Sequence, residues 1–128
     1  MHTFFYVAIG GMAGAVTRFL VLQLTHDIYH RTGFPWGTMV VNLAGSLLVG
    51  ILLALSLKFT FLSRNHAGFY LCVTGFLGAF TTFSTLSQDN MILLFDKQYA
   101  AFTINIFIHI ILGIALAIAG FVITRKFI

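Results

Sequence analysis

What most constrains this chain is the spacing of its apolar runs. Within 128 residues, four stretches, roughly 3–24, 36–57, 67–95 and 99–124, are each long enough to cross a bilayer, which takes about 20 apolar residues. Only short polar links separate them. The expectation is one membrane domain over 1–128, an all-α integral membrane protein of four transmembrane helices, with no soluble appendage. The composition agrees: 59% of residues are hydrophobic and 8% charged, where soluble domains carry about 25% charged residues. The opening MHTFFYVAIGG has no basic stretch ahead of its apolar run, and that run outlasts a signal-peptide core, so the first span is expected to be retained. The single cysteine, Cys72, lies in an apolar run and reads as a small buried hydrophobe.

The net charge of +4 comes from scattered basic residues. They form no patch or stripe, which argues against nucleic acid as a partner. Counted by side of the membrane, Lys58, Arg64, Arg125 and Lys126 oppose Arg31 and Lys97, with Arg18 a third if it is included. Positive residues favour the cytoplasmic side. So small an excess leaves both a single orientation and insertion in two orientations open.

The interior of the spans is unusually polar. In GGMAGAVTRF, Gly10 and Gly14 share a helix face, and small residues at that spacing let two backbones approach. Arg18 either faces a partner or water-filled cavity, or snorkels to the interface; in both cases it would draw anions to a mouth. The second span begins after Pro35, which suits a helix start, and Trp36 is expected in the interfacial belt. Thr38, Asn42 and Gly45 then fall on one helical face. Asn42 reads either as interhelical glue or as a donor on a path.

The third segment carries GFLGAFTTFSTLSQDN, with two glycines, five hydroxyl side chains, two amides and an acid. Gly75, Gly78, Thr81 and Thr82 weaken a helix and predict a break near its middle. Freed backbone groups survive at that depth only if buried in protein or lining a polar cavity. Their carbonyls can then hold a cation. After the break, Thr81, Ser84 and Ser87 or Gln88 are expected along one face as a ladder of donors. Phe76, Phe80 and Phe83 form an aromatic stripe, read as core packing or as ring edges turned toward an anion. Asp89 would need a partner such as Arg18. In the fourth span Asn105, His109, Gly113 and Ala117 form a polar and small stripe expected to meet other helices. His2, His26, His30 and His66 are expected in termini and loops, with no metal-ligand spacing.

Catalytic chemistry is not legible. The only acids are Asp27, Asp89 and Asp96, no hydroxyl has an evident base and orienting acid, and no phosphate-cradling loop is present. The chain reads as a non-enzyme whose donors suit passage of a small anion.

Taken together, GGMAGAVTRF (10–19), GTMVVNLAGSLLVG (37–50) and TGFLGAFTTFST (74–85) resemble the Fluc, or CrcB, family of fluoride channels, along essentially the whole chain. The resemblance implies an antiparallel, dual-topology homodimer, multi-pass in the bacterial inner membrane. It implies two fluoride pores and a central sodium ion that is not transported. By motif position the sodium-binding carbonyls fall on Gly78 and Thr81 and the pore asparagine on Asn42. The phenylalanine box falls on Phe83, the serine track on Ser84 and Ser87, and the arginine of span one on Arg18. Thr38 and Phe80 are further candidates for the fluoride path. The family's TTFSTF reads TTFSTL here, so Leu86 stands where a second ring is expected. Two other readings are a proton-coupled multidrug exporter, disfavoured because span one has Arg18 and no acid, and a membrane assembly subunit without transport.

Overall fold

A computed structural model describes residues 2–128. Four helical segments are long and apolar enough to cross a membrane: His2–Leu24, Trp36–Leu55, Ala67–Phe95 and Tyr99–Phe127. No strand occurs among the described residues. The second span stops at Leu55, short of the expected 57, and the fourth continues to Phe127, past the expected 124. His2 stands at the N-terminal end of the first helix; His26 and His30 lie in the link between spans one and two, which is wound as a short helix, His26–Thr32, rather than an irregular loop. Lys58 Nζ donates to the Ile128 carbonyl oxygen at 2.9 Å, which places the link after span two beside the end of span four.

The ends of span two follow from local chemistry. Pro35 precedes the first helical residue, where its missing N–H costs nothing. The Trp36 indole donates to Thr32 Oγ1 at 3.1 Å and its ring packs against Phe34. An aromatic ring with one polar tie suits the membrane boundary.

The spans pack as two close pairs, the first against the start of the third and the second against the fourth. The fully apolar core is small: Val41, Leu77 and Phe80 are its buried members. Large apolar side chains instead point outward, among them Phe4, Met12 and Phe19 on span one and Ile111, Ile114 and Ile118 on span four. Lipid tails are as apolar as these side chains, so burying them against one another gains little in a bilayer; close backbone contact holds helices together. The glycines supply it. A Cβ on Gly10 would collide with the Leu71 carbonyl and one on Gly14 with the Phe76 carbonyl. The packing expected of that pair is therefore present, and its partner is the third span.

That third span is not uniform. Ala67–Phe69 is α-helical, Tyr70–Leu77 is wound as a π-helix and Gly78–Phe80 as a last α-turn. Thr81 (φ −74°, ψ 156°) and Thr82 (φ −151°, ψ 117°) are extended, and α-helix resumes over Phe83–Phe95. Both threonines stabilise their own geometry. The Thr81 hydroxyl donates back to Leu77 O at 2.9 Å. The Thr82 hydroxyl accepts from the Thr85 N–H at 3.2 Å, which caps the second helix and is worth about 1 kcal/mol. A second π-helical stretch, Ile108–Leu112, lies in span four; such turns concentrate at functional sites.

Candidate functional site

The two extended residues leave backbone groups that no helix satisfies, and one side chain on span two deals with them. Asn42 Oδ1 accepts from the Thr82 N–H at 2.8 Å, and Asn42 Nδ2 donates to the Thr82 carbonyl at 3.1 Å. An amide is the one neutral side chain that can donate and accept side by side. It replaces both backbone hydrogen bonds at a residue only 7% exposed. This uses one amide hydrogen; the other has no partner among the described residues. Asn42 is therefore a backbone clamp as well as a remaining donor. Gly45, one turn further, makes room for the interruption: a Cβ there would collide with Thr81 Cγ2.

Beside the clamp lies a cavity of about 490 Å³, whose polar walls are Asn42, Ser46, Thr81, Thr82 and His109, with Phe83 and Leu86 among the apolar ones. No Lys, Arg, Asp or Glu lines it. Gly78 is on the wall and nearly free of neighbours: the nearest atom to a Cβ there would be Val73 O at 3.9 Å. The Thr81 carbonyl accepts no hydrogen bond among the described residues.

Other candidate residues are distributed differently. Phe83 is 80% exposed, and Ser84 and Ser87 are exposed on the same half-helix. Ser84 Oγ lies 3.2 Å from Thr82 Oγ1, and Ser87 Oγ donates to Phe83 O at 3.0 Å. Phe80 is not on the cavity wall. It is 5% exposed and stacks on Phe76 with centroids 5.6 Å apart, so it belongs to the core. Thr38 is also buried and is not on the cavity wall; it and His109 are both near the Asp89 carboxyl. Thr81 does not share a helical face with Ser84, because its extended backbone and its bond to Leu77 O tie it to the preceding half. Arg18 is half-buried and forms no ion pair with Asp89 among the described residues.

The polar stripe of span four does meet another helix. Asn105, fully buried, donates to Asn90 Oδ1 at 3.1 Å, and Asn90 donates to Leu86 O at 2.9 Å. His109 Nδ1 lies 2.8 Å from Asn105 O, while its Nε2, Asn105 Oδ1 and Asp89 Oδ2 are buried without partners. Ser46 and His109 were not singled out as cavity residues from the sequence. Ser46 was within reach, since it lies four residues after Asn42 and shares its face.

Along residues 5–121 the sequence matches the family described as CrcB-like protein, Camphor Resistance (CrcB). The chain belongs to the CrcB-like family. Among its relatives is a protein of Azobacteroides pseudotrichonymphae, 43% identical over 123 residues and covering 96% of both chains. Another, of Bacteroides fragilis, is 40% identical over 94% of both. A third, of Vibrio cholerae, is 39% identical over 91% of this chain and 90% of its own. Each is named fluoride-specific ion channel FluC. These relatives are channels, not enzymes. The matched residues reach into all four candidate spans of the CrcB-like chain.

Proposed function

We propose that this chain is a passive, fluoride-selective channel that lets accumulated fluoride leave the cell, in the bacterial inner membrane. The observation that carries the reading is the Asn42 clamp on Thr82, beside a cavity lined by amide, hydroxyl and aromatic side chains but by no Lys, Arg, Asp or Glu. Selectivity arises when such groups replace an ion's hydration shell and still release it. A bare lysine or arginine there would hold the anion too tightly. A proton-coupled exporter of cations would want a carboxylate on this wall, and none is there. The names of the relatives agree with fluoride as the permeant ion.

Fluoride enters near Arg18, whose charge raises the local anion concentration. It meets the free N–H of Asn42 and the ring edge of Phe83, and moves along Ser84 and Ser87. Thr38 and Phe80 support the path from behind, Thr38 beside Asp89 and Phe80 in the core. The working unit is an antiparallel homodimer of chains inserted in both orientations. Its support is the near balance of positive charge on the two sides and an exposed Phe83–Ser84–Ser87 face that one chain leaves uncovered.

The interruption of the third span has a second role in this reading. The Thr81 carbonyl lacks a donor and Gly78 faces open space, so oxygen ligands fit a hard monovalent cation there. Carbonyls of Gly78 and Thr81 from both copies would hold a structural sodium ion, which supplies fixed positive charge that ties the two interrupted helices together.

The test is efflux from liposomes containing the purified protein, with valinomycin carrying potassium and with fluoride and chloride electrodes outside. Rapid fluoride release without chloride release is expected. Release of neither ion from folded protein, or of both equally, would overturn the assignment.

A further inference from the structure

Outside the membrane spans, and against the expectation that these histidines have no metal-ligand spacing, the helix His26–Thr32 places two of them one turn apart on an exposed face, although no third His, Cys, Asp or Glu joins them in a cluster among the described residues. His26 Nε2 and His30 Nε2 lie 3.1 Å apart and their ring centroids 4.3 Å apart at 76°. We propose that His26 and His30 form a two-nitrogen site for a borderline transition-metal dication, of which Zn²⁺ is the type.

The separation carries the argument. Imidazole nitrogens bind zinc at about 2.0–2.1 Å. Two nitrogens 3.1 Å apart, each at that distance, subtend an angle of about 98° at the metal. That lies between the right angle of an octahedral site and the wider angle of a tetrahedral one, so the two nitrogens already stand at bite distance, and the ring that now donates has to swing to aim its lone pair at the metal. Helical i, i+4 geometry has already brought the pair together. In the metal-free chain one Nε2–H donates to the other ring. Binding needs both Nε2 lone pairs, so that proton must pass to Nδ1 or to solvent. Asp27 Oδ1 lies 4.0 Å from His26 Nδ1, beyond hydrogen-bond distance; a small movement of either exposed side chain would let the carboxylate accept from Nδ1–H and fix the tautomer. The remaining coordination positions are open to water, since His26 and Asp27 side chains are 60% and 91% exposed.

A structural consequence follows. A helix this short is marginal by itself. A metal bridging its first and second turns would hold it closed, on the aqueous side of the link between spans one and two. Hard cations such as Mg²⁺ prefer oxygen and would not substitute.

The experiment uses the full chain, purified without a polyhistidine tag and titrated with ZnCl₂ by calorimetry, and one zinc per chain is expected, with MgCl₂ giving no binding. His26→Gln and His30→Gln should each weaken binding more than about tenfold and Asp27→Asn by a smaller factor. His2→Gln and His66→Gln should leave it unchanged. A second readout keeps the proposal falsifiable if calorimetric heats are small: the electron paramagnetic resonance spectrum of added Cu²⁺ should report two imidazole nitrogens and lose one in either variant. Zinc binding undiminished in the His26→Gln/His30→Gln double variant, or no binding by the unaltered chain, would overturn the proposal.

Discussion

Replacing Asn42 separates its two roles. In Asn42→Ala, the Thr82 N–H and carbonyl both lose their partner. Thr82 is 7% exposed, so water does not readily take over. A buried polar group left unsatisfied costs about 1–3 kcal/mol. Two at the low end cost about 2 kcal/mol, roughly a 30-fold loss in the population of the interrupted geometry. Asn42→Asp behaves differently. Its carboxylate still accepts from the Thr82 N–H but cannot donate to the carbonyl, so about half the clamp survives. It also places negative charge beside the anion's route. At about 4 Å and an effective dielectric constant near 20, that repulsion is about 4 kcal/mol, or about a thousandfold in rate. Both variants should therefore lower thermal stability in detergent, since the aspartate oxygen that replaces Nδ2 faces the Thr82 carbonyl and its charge has no partner on this wall, and aspartate should lower fluoride efflux more than alanine. The assay is a melting curve and a liposome flux measurement on the same preparations. Asn42→Ala with unchanged melting would refute the clamp. Asn42→Asp with flux no lower than Asn42→Ala would refute passage of an anion beside this residue.

Gly45→Ala pushes a methyl into Thr81 Cγ2 and should cost about 1–3 kcal/mol, read as a lower melting temperature with reduced flux. Leu86→Phe places a ring on the wall of the roughly 490 Å³ cavity; fluoride efflux should rise while chloride stays excluded, and unchanged flux would show that this wall position does not touch the ion. Asn105→Leu removes the bond to Asn90 and should cost about 0.6–2 kcal/mol, measurable by denaturation in mixed micelles. Rigorous removal of sodium should lower dimer stability and flux together, and full activity without it would exclude the carbonyl site on Gly78 and Thr81.

The sequence was most legible where one residue type answers one physical demand. Long apolar runs gave the four spans, and the Gly10/Gly14 pair announced a close helix contact. The partners were less legible. Asn42 and Thr82 are 40 residues apart, and nothing local says that the amide will face that backbone rather than another helix. The aromatic stripe shows the same limit: Phe80 and Phe83 differ only in position, yet one is core and the other exposed, because the two extended threonines between them reset the helical face. Arg18 and Asp89 invited pairing by charge alone, and no ion pair joins them among the described residues. The histidines of the first link looked unstructured because so short a helix has little periodicity to announce it.

The most direct test of the central claim is a reversal potential. With the purified protein in a planar bilayer and a tenfold fluoride gradient opposed by chloride on the dilute side, a fluoride-selective channel should reverse near the fluoride equilibrium potential, about 59 mV. A reversal near zero under those ions, with current carried equally by chloride, would contradict it.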